Sequence, residues 1–163
     1  ALVDMALKMA QSQKSKDEIL DMLSRSIATE ISFLIPQDFS FLKRGGRVSG
    51  FEAGMGGLLK LIPVMMRKLK KNEEGSHLVN FALCRTMKKA FMKMADQMER
   101  DGVSDGYYIF ISHANNMEDA QKAHAYFEQR FPGAKIIIMP LSPSFIAQGG
   151  PKCVSIQAIR IIE

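Results

Sequence analysis

The residues best suited to chemistry lie in one stretch, Lys43-Arg44-Gly45-Gly46-Arg47. Arginine presents its N–H donors in a planar fork that matches a carboxylate or a phosphate. Paired glycines let the backbone take positive φ and approach a bound group closely. Phe39, Phe41 and Leu42 precede the stretch, and a Gly/Met-rich apolar segment follows it as far as Leu61. An anion-matching fork beside a long apolar segment suits an amphiphile with an acidic head. The same residues also fit a plainer reading, a tight turn with solvated charges.

Other chemistries find less support. Ser112-His113 joins a nucleophile to a base by type. Adjacent residues on a strand point to opposite faces, however, and such a pair does not easily act together. His77, His113 and His124 lack metal-ligand spacing, and no paired carboxylates or phosphate loop occur. No catalytic residue, metal site or cofactor is therefore expected. Cys84 and Cys153 are isolated, which fits a reducing cytoplasm and no disulfide framework. The net charge of +5 is concentrated in Arg67-Lys68-Leu69-Lys70-Lys71 and Lys88-Lys89. Such runs read first as solvated faces. With no recognition-helix pattern, zinc spacing or aromatic stacking motif, no nucleic-acid partner is expected. No apolar run approaches membrane-spanning length, so neither a signal peptide nor an integral membrane protein is expected.

The elements that must position these residues follow from spacing. The 163 residues are enough for one sizeable core. Twelve methionines and no tryptophan suit either a Met-rich core or a wall that adapts to a flexible apolar ligand. Helical spacing from Leu2 to about Gln13 predicts a first helix. It starts without a cap, which suggests a chain cut from something longer. Ser15 and Glu18 form a capping box for a second helix, with Ile19, Met22, Leu23, Ser26 and Ile27 inward. Ile31 to Ile35 reads as a strand, and residues 37–42 as a short helix ending at Gly45-Gly46. Residues 51–59 are expected to be helical despite three glycines, which suggests that something packs closely on them.

Leu61 to Arg67 and His77 to Leu83 read as a hairpin around a charged turn, Lys68 to Gly75. Thr86 should cap a helix with Ala90, Phe91, Met94 and Met98 inward. Tyr107 to Ile111 is a continuous apolar strand, as expected where both faces are covered. Asn115 or Asn116 caps a helix carrying Ala120, Ala123, Phe127 and Phe131, which Pro132-Gly133 stops. Lys135 to Met139 follows as a parallel strand, Ser142 to Pro151 as a loop, and Val154 to Ile162 as a last strand. In open α/β sheets ligands bind beyond the carboxyl ends of strands, which points to residues 112–116 and 140–151.

Read in order, these pieces resemble the DegV family of bacterial fatty-acid-binding proteins. The resemblance rests on Phe41-Leu-Lys-Arg-Gly-Gly-Arg-Val48, Gly57-Leu-Leu-Lys-Leu-Ile-Pro-Val64, Arg85-Thr-Met-Lys-Lys-Ala90, Ile111-Ser-His113 and the closing Pro/Gly loop. It covers the C-terminal part of the family pattern. It implies an α/β fold with a mixed, partly parallel sheet and helices on both faces. Residues 1–29 would be a helical segment leading from an N-terminal domain absent here, and residues 30–163 the lipid-binding C-terminal domain.

The resemblance further implies that the chain holds a long-chain fatty acid and presents its carboxylate to a partner fatty acid kinase, doing no chemistry itself. By that likeness Arg47 supports the carboxylate, beside Gly45 and Gly46. Family members add a histidine from the closing loop, where this chain has Gln148, and Lys152 stands in place of a glycine. His113 is a further candidate contact, and Met55, Leu58 and Leu59 are candidates for the acyl wall. The histidine lost at Gln148 and the exposed basic runs keep a second reading open, a degenerate relative serving as a protein-interaction module.

Overall fold

The computed structural model describes residues 2–45, 61–69 and 76–162. Its centre is a six-stranded sheet of order β3-β2-β1-β6-β4-β5. The strands are β1 (Ile31–Ile35), β2 (Ile62–Leu69), β3 (Ser76–Cys84), β4 (Tyr107–His113), β5 (Lys135–Pro140) and β6 (Val154–Arg160). Only β4 and β5 pair in parallel; the other neighbours are antiparallel. The last strand therefore inserts between the first and the fourth.

Two helices cover one face of this sheet. Thr86 caps α4 (Met87–Arg100), its hydroxyl accepting from the Lys89 amide at 3.2 Å. Asn116 caps α5 (Met117–Arg130). Ala90, Phe91, Met94 and Met98 of α4 meet Ala120, Ala123 and Phe127 of α5 over Phe33, Ile109, Ile111 and Ile156, all in one buried cluster. Phe131 closes the cluster, its ring stacked on Phe127 at 6.1 Å. Close packing of this kind is what makes a core sensitive to single methylenes.

The opposite face is covered differently. Helix α1 (Leu2–Gln11) and helix α2 (Lys16–Ile27) form a hairpin, with both bonds of the Ser15–Glu18 capping box made. The hairpin is tied to the end of β6: the Ile162 amide donates to Ser26 Oγ at 3.1 Å, and the Arg160 amide to Thr29 Oγ1 at 2.9 Å. This explains a hydroxyl on the inner side of α2, since the fully buried Ser26 gives a backbone donor its partner. Ile27 does not share that side; it is exposed.

Other expectations need adjustment. Strand β4 alternates: Tyr107, Ile109 and Ile111 are buried, while Tyr108 and Phe110 on the second face are only half-buried. The hairpin strand β2 runs to Leu69, because Lys68 and Leu69 pair with His77 and Ser76, so the turn expected from Lys68 begins later. The segment from Ser142 is not a plain loop. It holds a short helix, α6 (Pro143–Gly149), started by a proline in its first turn and closed by Gly150 at φ 84°. The expected helix at 51–59 and the charged turn at 70–75 lie outside the described residues.

Candidate functional site

Among the described residues, the candidate site residues gather where β1, β4 and β5 end and β6 begins. The short helix α3 (Phe39–Arg44) follows β1. Asp38 Oδ1 accepts from the Phe41 amide at 2.9 Å and starts it; the Gly45 amide donates to Phe41 O at 3.1 Å and ends it. Leu42 anchors α3, being buried. Phe41 lies on the end of α6 so closely that a Cβ on Gly150 would sit 2.9 Å from its Cδ1. A Cβ on the neighbouring Gly149 would sit 2.8 Å from Cys153 Sγ and 3.3 Å from Leu34 Cδ1. Gly150 thus allows α3 to rest against the end of α6, which carries Gln148, while Gly149 lets α6 close on Cys153 and Leu34.

A second set of bonds fixes the floor beneath α6. The Ala114 amide donates to Cys153 O and the Lys152 amide to Ala114 O, both at 3.0 Å. Asn116 Nδ2 donates to Lys152 O at 2.8 Å, so the cap of α5 also holds the strand leading into β6. His113 is buried, and its Nδ1 accepts from the Asn116 amide at 3.1 Å. That nitrogen is engaged in shaping the turn, which leaves Nε2 as the donor of the neutral ring. Gln148 and Lys152 are exposed beside this floor. Lys152 has φ 58°, a left-handed conformation that favours glycine.

Cys153 is fully buried under α6, and burial pushes its thiol up to about 11. Burial likewise raises the Cys84 thiol, against the pull of Lys93 and Lys89. Both behave as small hydrophobes rather than nucleophiles. Among the described residues no group of three or more His, Cys, Asp or Glu is placed to hold a metal ion, and no helix is long and apolar enough to cross a membrane. Arg47, Gly46, Met55, Leu58 and Leu59 lie outside the described residues.

Two features of the second sheet face escaped the sequence reading. One is a polar cluster. The Glu30 carboxylate pairs with Arg67 and accepts from Ser32 Oγ at 2.5 Å and Gln157 Nε2 at 2.8 Å. Burial opposes the Glu30 charge, but the bonds from Ser32, Arg67 and Gln157 outweigh it and hold the carboxyl below its ordinary value. Sequence offered little signal for a pairing across 37 positions. The other is a cavity of about 370 Å³ under the α1–α2 hairpin, towards the start of β4 and away from α6. Its signal was present in the methionines at helical spacing on α1 and the alternate aromatics of β4.

The family model described as "Uncharacterised protein, DegV family" matches residues 1–160. A DegV domain-containing protein of Clostridium perfringens is 30% identical over 138 residues, 84% of this chain and 46% of that one. The DegV family protein of Eubacterium eligens loaded with heptadecanoic acid superposes with a TM-score of 0.80 at 16% identity, over 98% of this chain and 55% of that one. The fatty acid kinase B3 protein of Streptococcus pneumoniae loaded with linoleic acid gives 0.78 at 20% identity, over 99% and 55%. The chain spans about half the length of the relatives it matches.

Proposed function

The chain belongs to the DegV family, and from that premise we propose that it is the acyl-holding part of a fatty-acid carrier that presents a carboxylate to a partner fatty acid kinase. Residues 30–163 are the lipid-binding domain in this reading, and residues 1–29 lead in from a preceding domain that completes the site. The half-length span of the relatives supports that division. The chain binds and presents; it makes and breaks no bonds, needs no cofactor and works in the cytoplasm.

The observation that carries the reading is the seating of α3 on α6. It brings the residues that lead into Gly45-Gly46-Arg47 against the helix that bears Gln148, over a floor fixed by Asn116 and His113. Arg47 supplies a charged donor to the carboxylate, and Gln148 supplies a neutral one where a histidine is usual in the family. Lys152 adds a second cation nearby. The apolar residues Met55, Leu58 and Leu59 serve the acyl chain. Dispersion of the ligand between two domains removes more of its apolar area from water than one surface would, at about 25 cal/mol per Å².

Organic extraction of the intact protein followed by mass spectrometry tests the reading directly, with release of a long-chain fatty acid as the expected result. Calorimetry adds the residue: Arg47→Ala should weaken carboxylate binding by about 1.5–3 kcal/mol, the range for a charge-assisted hydrogen bond. Extraction that yields no fatty acid, with no calorimetric binding, would favour the protein-interaction module instead.

A further inference from the structure

The sheet ends at β5 on one side and at β3 on the other, and an edge strand presents a row of unpaired amides and carbonyls. The two edges are defended unequally. Strand β5 is six residues long, begins with Lys135, ends with Pro140 and runs parallel to its neighbour. Shortness, a lysine and a proline are usual guards against pairing with another chain. Strand β3 is nine residues long, and from Ser76 to Cys84 it contains no proline, lysine, arginine, aspartate or glutamate. Among the described residues it pairs with β2 alone. Its register shifts opposite Val64 and Met65, which leaves Ser76 to Asn80 in regular alignment with Leu69 to Met65.

That regular part shows an apolar side chain to solvent. Leu78 and Asn80 are exposed, and Val79 between them is half-buried. Leu78 stands opposite Arg67, whose long side chain could shield it. The Arg67 guanidinium pairs with Glu30 instead. Glu30 precedes β1, and β1 lies on the far side of β2 from β3, so Arg67 turns away from the edge. Leu78 is left 42% exposed.

A second copy of the chain satisfies both the unpaired backbone and the bare leucine. Antiparallel pairing of β3 with β3 about Leu78 sets Leu78 against its own counterpart and Ser76 against Asn80. In a two-fold interface the residue on the axis meets itself, so the two leucines cover each other. Charge selects the same place. Copies with a net charge of +5 repel, and the stretch from Ser76 to Cys84 carries none of that charge.

We propose that β3 is a self-association edge, through which two copies join their sheets by antiparallel pairing centred on Leu78. One strand pair is small beside the roughly 1,600 Å² of a standard interface, so the dimer is a weak one. The pairing uses no residue of the candidate site, and it does not depend on the function assigned there.

Sedimentation velocity of the intact protein from about 1 μM to 1 mM tests it, with a concentration-dependent dimer as the expected result. Leu78→Lys puts a charge on the axis and should weaken the dimer by about tenfold or more. Its melting temperature at low concentration should match the parent, because Leu78 is exposed. Cysteine pairing reads the register. Opposite residues of an antiparallel pair have Cα atoms about 4.5–5.5 Å apart, within disulfide reach. Leu78→Cys should therefore oxidise to a covalent dimer. Asn80→Cys should not, since Ser76 of the second copy stands opposite it. Cys84 and Cys153 are buried and give no background. A monomer at every concentration overturns the proposal. So does a dimer untouched by Leu78→Lys, or one that Asn80→Cys links and Leu78→Cys does not.

Discussion

The two faces of the sheet are made from alternate residues of the same strands, yet they are built for different ends. On the α4–α5 face Ile109, Ile111 and Ile156 are fully buried against Phe127, Met94 and Met98. On the other face the neighbouring Tyr108 and Phe110 are half-buried over a cavity, and Ser32 and Gln157 hold a carboxylate. A step of one residue along β4 moves from a sealed core to a surface with room and polarity. One face supplies cohesion, and the other can therefore keep a cavity and a half-buried charge without loss of the fold.

The sharpest test of that division is a pair of aromatic truncations. Phe127→Ala removes a side chain packed among Phe91, Tyr126 and Phe131, and should cost about 3–5 kcal/mol by denaturant unfolding. Phe110→Ala enlarges a hollow already present and should cost less than half as much. Equal losses would show that the second face is as cohesive as the first.

The α3–α6 contact should be the next most sensitive point. Gly150 has φ 84°, and an added Cβ would lie 2.9 Å from Phe41 Cδ1. Gly150→Ala meets both the strained backbone and the aromatic ring, at a cost of about 2–3 kcal/mol. Relief by the second change Phe41→Leu should be partial, since the φ strain stays. Full relief would mean that the ring alone was the obstacle.

A smaller effect is expected from the charge on the open face. The folded Glu30 carboxyl lies below its ordinary value, so it adds stability above that value and loses it as pH falls through the folded one. Glu30→Gln should cost about 1.5 kcal/mol at neutral pH. The gap between variant and parent should start to narrow as pH falls past the ordinary glutamate value and close only below the lower folded one. A gap that stays constant with pH would mean that the cluster stabilises through shape rather than charge.

What could be read from sequence follows the same division. The cohesive face was nearly transparent: Thr86, Ala90, Phe91, Met94 and Met98 stand at helical spacing because one helix stripe must meet one sheet face, and the fold obeys it. Strand β1 came out from Ile31 to Ile35 because β-branched residues end at a proline. The open face and the strand ends were harder. Helix α6 hides in a stretch of prolines and glycines whose helical ends rest on Pro143 and Gly150, residues that also signal a loop. Arg67 stands in sequence within a basic run that reads as a solvated face, and nothing local says that it reaches Glu30. The strand-end rule and family likeness both point to the candidate residues at the strand ends, whereas Phe41 and Gly150, which join α3 to the end of α6, show their role only in three dimensions.

The smallest effect is the one that separates binding from folding most cleanly. Lys152 occupies a left-handed backbone position at φ 58°. For a residue with a Cβ that conformation costs roughly 1–2 kcal/mol, and glycine avoids it. Glycine also gives the unfolded chain more freedom, which returns about 0.4–1 kcal/mol of the gain. Lys152→Gly should thus stabilise the protein by about 0.5 kcal/mol, read from the denaturation midpoint at unchanged slope. In the variant the amide of residue 152 still donates to Ala114 O and its carbonyl still accepts from Asn116 Nδ2, so the floor under α6 stays in place. Strain kept at one position has its usual explanation in function. If the ammonium serves the carboxylate, the stabilised variant should bind fatty acid more weakly, and stability and affinity move in opposite directions. A variant that is more stable and binds equally well would remove Lys152 from the site and leave Arg47 and Gln148 to hold the head group.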